Sequence, residues 1–559
     1  MRASLARNAF AAVISALLLA GCGGGRGTVP AAPGGPTQTS SGTKAPLSIR
    51  IDMPMTTDSS KHRVPKYVSP ATTQAVINIQ SGGTSISGYP QTVALTPTSG
   101  GCSSTLASTQ CMIALSLLPG SYTLSISLED ASNTVLSQAQ TVPVNILAGQ
   151  ANVVTLTVGG LAASVQIVPL TTHRMQLSPN AASLYGNVPI QFETLALDAD
   201  NNVIVGPGAP TATAALTSGA HATLTAPTST SPNLWTITPN YTATNPTVPT
   251  TDTLTVSATP VPASGGSTVS SATALSIYQP WVYVLDASSH NILAFDETGA
   301  ALAPSGGAFT GGAMTLYPSG LEYAQGSLYV VGGYNHTNGE ISAYPLVGGA
   351  PTKDVTHATA GFAGLNNPMY PDSIAYDPHN QQLYVGDSAY NAETYSVDAA
   401  LTAGVQATAS GGGLGPYGFA FDPATNQMIG PSPTGGLIIC SEALACAPGN
   451  NTQANAFGIA YDPTNGLLGV GAPNCCSATG GVFLEDLTGT VQSTIGASSA
   501  VGPQALAYDP FADSWFFYRK NTMSIPANGM NEYNAAGALT IDFSTLGNAD
   551  TVAGIVVVP

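Results

Sequence analysis

Four aspartates in the second half of the chain share one setting. Asp377, Asp422, Asp462 and Asp509 each follow an aromatic residue and stand immediately before a proline. Carboxylates repeated in this way would make a ring of metal ligands if they converged. Asp followed by Pro is also the composition that opens a type I turn, and at the end of an apolar run the turn is the reading adopted. Glu322 poses a different question. Where neighbouring phrases carry Ala375, Ala420, Ala460, Ala507 and Val556, this one carries a carboxylate. A carboxylate at a position that calls for a small apolar group needs a partner or a raised pKa. Either it pairs with a polar neighbour, or it is an acid–base group or metal ligand. His290, His336, His357 and His379 fall in different phrases with no motif around them.

These residues are positioned by a repeat. "YPSGLEYAQGSLYVVG", "YPDSIAYDPHNQQLYVGD", "GPYGFAFDPATNQMIG", "NAFGIAYDPTNGLLGV" and "GPQALAYDPFADSWFF" align on Tyr323, Tyr376, Phe421, Tyr461 and Tyr508, at intervals of 53, 45, 40 and 47 residues. Intervals of this size mark propeller blades or related repeats. Each unit reads as an inner strand, a turn, a second strand, a polar loop and a third strand. "VYVLDASSHNILAFDETG", from Val282, supplies second and third strands without a first, and "TVAGIVVVP", from Thr551, supplies a first strand without the others. Together they predict one composite unit that closes a ring of six. Small residues (Gly320, Ser373, Gly418, Gly458, Ala505, Gly554) are expected where inner strands crowd. The residues that follow them (Leu321, Ile374, Phe419, Ile459, Leu506, Ile555) are expected to fill the space between blades.

The P-x-G-hydrophobic-Ala-hydrophobic-Asp phrases resemble those of NHL-type and YVTN-type propellers, over about half the chain. Such propellers serve as binding platforms, lactonases and lyases alike, so the resemblance implies a fold and no single activity. At the implied channel mouth stand Ser319, Asp372, Tyr417, Phe457, Gln504 and Ala553, which differ in chemistry while the positions behind them repeat. That is the pattern of a binding surface on a repeated scaffold. Loops rich in Tyr and Asn beside it suit a protein or a neutral glycan. The alternative is a lactonase-like hydrolase or lyase using Glu322 and Asp372, with Gln504 and a divalent metal. Gluconolactonase-like enzymes place metal ligands on inner strands, whereas most of those positions here are Ala, Gly or aromatic. A binding platform that needs no cofactor or metal is therefore the first reading.

Charge separates the two halves. Residues 1–279 contain 9 Lys+Arg and 8 Asp+Glu, against 3 and 21 in residues 280–559, giving +1 and −18. A surface of that sign repels phosphate backbones and argues against nucleic acid as a partner. Between residues 46 and 160, runs such as "QAVINIQ" and "SYTLSISL" alternate apolar and polar residues between Gly/Pro/Ser turns, the pattern of an antiparallel sandwich. The pattern recurs over residues 161–277. Both segments resemble bacterial Ig-like modules, and their expected role is to space and present the propeller at residues 278–559.

The first residues, "MRASLARNAFAAVISALLLAGC", combine two arginines, an apolar run of about a dozen residues and a small-residue site, which predicts a signal peptide over residues 1–21. The run is too short to span a bilayer, which takes roughly 20 residues. Leu19-Ala20-Gly21-Cys22 resembles the lipobox of bacterial lipoproteins, which implies acylation of Cys22 and anchoring in a lipid bilayer of the cell envelope. Gly23 in the next position favours, by the same resemblance, the outer membrane or cell surface. Residues 22–45 are Gly, Pro, Ser and Thr with few apolar side chains, expected to be a flexible tether reaching roughly 25–30 Å. The other six cysteines lie as Cys102/Cys111, Cys440/Cys446 and Cys475/Cys476. In an exported chain their proximity predicts three local disulfides, among 15 possible pairings. The last would be a vicinal bond. The alternative is a cross-link of Cys475 and Cys476 to Cys440 and Cys446. The fold class that follows is all-β: two Ig-like sandwiches, then a six-bladed propeller.

Overall fold

The computed structural model describes residues 43–54, 68–104, 108–154, 158–205, 208–241, 248–302, 308–309, 318–334, 338–352, 358–360, 371–387, 392–397, 401, 403–407, 418–431, 437–449, 458–472, 480–498, 505–519, 529–534, 536, 538–543 and 552–559. Among them the chain is all-β, with one short 3-10 turn at Pro262–Ser264. None of their helices is long and apolar enough to cross a membrane. Cys22, the leader and most of the tether lie outside the described residues.

The period-2 alternation read from the sequence decides which faces are buried in the first half. In Ala45–Pro54 the residues Leu47, Ile49, Ile51 and Met53 point inward, and in Gln74–Ser81 so do Ala75, Ile77 and Ile79. The two strands belong to different sheets, and their inward residues meet in one core, so the sheets pack face to face. Cys102 and Cys111 are direct cross-strand partners joined by a disulfide. A second pair of sheets encloses Phe192, Ile237, Leu254 and Ile277. Its buried Trp235 donates its indole N–H to Thr194 Oγ1 at 3.2 Å.

In the second half, the described residues form a propeller-like succession of six antiparallel sheets. The first of them is composite: Val552–Val558 pairs with Trp281–Asp286, which pairs in turn with Asn291–Asp296. The other five begin with Pro318–Ala324, Pro371–Asp377, Ala420–Asp422, Gly458–Asp462 and Ala505–Asp509. Each leading strand touches the next, and the sixth returns to Val552–Val558, so the six make a closed circuit.

Side-chain size explains how closely they approach. A Cβ on Gly554 would lie 2.6 Å from Leu321 Cβ, and one on Gly320 would lie 3.1 Å from a methyl of Ile374. The small residue of each strand is thus the space into which its neighbour's backbone and large apolar residue fit. Leu321 packs with Val556, Phe419 with Ala375, Ile459 with Ala420 and Leu506 with Ala460, which is the filling between sheets that the aligned sequence predicts.

The repeated aspartates build turns. Asp462 Oδ1 accepts the backbone N–H groups of Thr464 at 2.8 Å and Asn465 at 3.1 Å, while Oδ2 accepts Asn465 Nδ2 at 2.8 Å. Asp377, Asp422 and Asp509 accept the corresponding N–H groups of His379, Ala424 and Phe511. Four residues after each Asp comes a left-handed residue: Gln381, Asn426, Gly466 or Asp513. At 466 glycine adopts this conformation without cost. The sheet that begins at Pro318 has instead a short Gln325-Gly326 turn and no aspartate.

Candidate functional site

The closed circuit leaves a cavity of about 750 Å³ along its axis, lined by the leading strands of all six sheets. Pockets for small ligands fall in the range of about 300–1,000 Å³. The strands all run from a mouth end to a turn end, so equivalent residues form layers. At the mouth end Ser319, Asp372 and Ala553 border the cavity. Ser319 Oγ also donates to the carbonyl of Val331 at 3.3 Å. The other three expected mouth residues, Tyr417, Phe457 and Gln504, lie outside the described residues.

Deeper in, the layer of Ala375, Ala420, Ala460, Ala507 and Val556 is interrupted by Glu322. Glu322 is largely buried, and Oε1 accepts the backbone N–H of Tyr323 at 3.0 Å. Burial penalises its charged form and pushes its pKa up to about 8, against the smaller opposing effect of that hydrogen bond. That hydrogen bond comes from the backbone of the next residue along its own strand. Glu322 and Asp372 border the same cavity, as the enzyme alternative requires.

The layer nearest the turns consists of Tyr323, Tyr376, Phe421, Tyr461 and Tyr508, with Val557 on the composite strand. Several phenols are tied to the turn of the preceding sheet: Tyr376 accepts from Gln325 Nε2 at 3.3 Å, and Tyr461 donates to Asp422. Tyr508 donates to Asp513 at 3.0 Å in its own turn and interacts with Asp462 in the preceding one. A turn aspartate therefore both closes its hairpin and fixes the next aromatic side chain. This layer was visible in the sequence as the residue on which the repeats align, but the alignment carried no sign that its members border one cavity.

Away from the axis, His379 Nδ1 lies 3.0 Å from Glu442 Oε1, with Asp377 close enough for the three to hold a metal ion. The Asp377 oxygens already accept from His379 N, Asn380 N and Asn380 Nδ2. The geometry is that of a His–Glu contact beside a turn. The disulfide Cys440–Cys446 closes the hairpin just before and after Glu442, across directly paired residues. Cys475 and Cys476 lie outside the described residues.

One feature gave no signal in the sequence. Arg174 of the second two-sheet unit forms an ion pair with Glu297 at the hairpin of the composite sheet, and both side chains are about nine-tenths buried. Burial raises the Glu297 carboxyl and the guanidinium pulls it back down. Gly186 leaves room for the pair, since a Cβ there would collide with both partners. Beside it Tyr185 stacks on Phe511 with ring centroids 4.2 Å apart, and His173 Nε2 lies 3.8 Å from Asp513. The unit thus docks on the turn end of the sixth sheet, opposite the mouth. No residue type in isolation marks such a contact, because its partners are 123 residues apart in the ion pair alone.

No protein-family model and no curated protein matches the chain. Solved structures similar to it include a nidogen/laminin complex, at 15% identity and a TM-score of 0.28, covering 41% of this chain and 98% of that one. A protein from Lactobacillus plantarum matches at 16% identity and 0.31, covering 47% and 80%. Kuenenia stuttgartiensis hydrazine synthase matches at 12% and 0.31, covering 40% and 64%.

Proposed function

We propose that the protein is an exported lipoprotein, anchored through acylated Cys22, in which two Ig-like sandwiches carry a six-bladed propeller of the NHL/YVTN type. The propeller serves as a binding platform for a protein or glycan that engages the axial cavity. The observation that carries this reading is the layered cavity itself: the Gly, Leu and Ala layers repeat from sheet to sheet, whereas Ser319, Asp372 and Ala553 at its mouth differ. Docking of the second sandwich on the turn end supports it, because that contact lies at the other end of the leading strands from Ser319, Asp372 and Ala553.

The test is binding of the purified soluble chain, begun at Gly23, to an array of glycans. Ala460→Phe, which enlarges a side chain that borders the cavity and packs against Leu506, should abolish any binding found, with the melting temperature checking that the fold survives. Glycans bound equally by Ala460→Phe would overturn the reading. Anchoring is tested separately. Cys22→Ala should leave membranes, and retention after a salt wash would place the anchor elsewhere.

A further inference from the structure

The axial cavity has an uneven chemistry. Its described lining includes Glu322, Asp372 and six aromatic residues, Phe419 and the five of the layer nearest the turns, and no Lys, Arg or His. Glu322 stands alone among the five apolar residues of its own layer, one residue from the aromatic layer. Around it residues 280–559 hold 21 acidic and 3 basic side chains, a field that concentrates cations. A buried carboxylate calls for an opposite charge, and aromatic π-systems attract cations, organic ammonium groups above all.

We propose that the cavity takes the ammonium group of a small organic cation, with Glu322 as its counter-ion and the Tyr323–Tyr376–Phe421–Tyr461–Tyr508 layer as its wall. This rests on the reading of the axial cavity as the binding site. Its consequence is coupled protonation. The empty site holds Glu322 largely protonated at neutral pH, so a cation that enters must displace that proton to solvent. Among the described residues, the other titratable groups bordering the cavity are Asp372 and the phenols of Tyr323, Tyr376, Tyr461 and Tyr508. Burial holds the Tyr323, Tyr461 and Tyr508 phenols above their usual range, so these three stay neutral where Glu322 titrates.

The experiment is calorimetric titration of the soluble chain with choline, which keeps its charge at every pH, and with its uncharged isostere 3,3-dimethylbutan-1-ol. Choline should bind more tightly, and its affinity should rise on the order of tenfold per pH unit below about pH 8 and then level off. One proton should be released per choline bound at pH 7. Glu322→Gln should lower choline affinity at pH 9 by at least about tenfold and remove the pH dependence, leaving the alcohol unaffected. Glu322→Ala installs the residue that four of the other five sheets carry, so it guards against a folding defect and should behave alike. Equal binding of the two isosteres, no binding of choline, or choline affinity unchanged in both variants would overturn the proposal. If neutral glycans still bind and Ala460→Phe blocks them, the cation is wrong and the cavity reading stands. Glycan binding untouched by Ala460→Phe would sink the cavity reading first.

Discussion

Glu485 shows what an isolated charge costs when no cavity faces it. It stands opposite Leu468, where the corresponding third-strand positions of other sheets hold Tyr344, Tyr395, Cys440 and Tyr533. Both its oxygens are buried without a hydrogen-bond partner, and burial, with Asp486 adding to it, pushes its pKa up to about 7. The folded protein therefore binds this proton more tightly than the unfolded chain. Stability is lost as pH rises from the usual carboxyl range through about 7 and is intact below it. Glu485→Gln should raise stability at pH 8 by up to about 3 kcal/mol and change little at pH 4, as read by urea unfolding at the two pH values. A gain independent of pH would refute the assignment. At the turns, removing a carboxylate destabilises instead. Asp462→Ala removes three hydrogen bonds and should cost about 1–3 kcal/mol by the same measurement.

At the scale of elements, the leading strands are specified by size alternation. Gly554→Ala would place a methyl against the Cβ and backbone nitrogen of Leu321, at 2.6 and 2.8 Å. A contact with backbone cannot relax by a rotamer change, so overpacking here should cost about 1–3 kcal/mol in chemical unfolding. Loss of the whole strand is a different matter. Removing residues 551–559 strips Trp281–Asp286 of its partner and bares Leu321 and Phe516, which pack on it. Two open edges result, a template for association between chains. The truncated protein should aggregate in size-exclusion chromatography, and a monomer as stable as the full chain would contradict closure through this strand.

For the whole molecule, the contact around Arg174 decides whether the second two-sheet unit and the closed circuit of six sheets move together. Arg174→Ala leaves Glu297 beside Asp509 and Glu532 with its buried cation gone, and breaking a buried pair costs about 3–5 kcal/mol. In calorimetry the two units should then unfold in separate transitions, where the wild-type chain couples them. Coincident transitions in the variant would show that the Tyr185–Phe511 stack alone suffices.

Strands, turns and the closing strand were legible in the sequence. Each rests on a local pattern: period-2 alternation in Gln74–Ser81, Asp-Pro before a left-handed residue in the hairpins, and a first strand missing at Val282 but present at Thr551. Two disulfides, Cys102–Cys111 and Cys440–Cys446, were legible for the same reason, since each closes a hairpin of its own. Glu322 was legible only as a break in a repeat. Which groups converge was decided by tertiary structure alone. The five residues of the aromatic layer border one cavity that no single repeat contains, and Arg174 meets Glu297 because two separately folded units abut. A repeat states what each strand presents to its neighbour. The distance across the ring, and with it the size and charge of the cavity, exists only after all six sheets have closed.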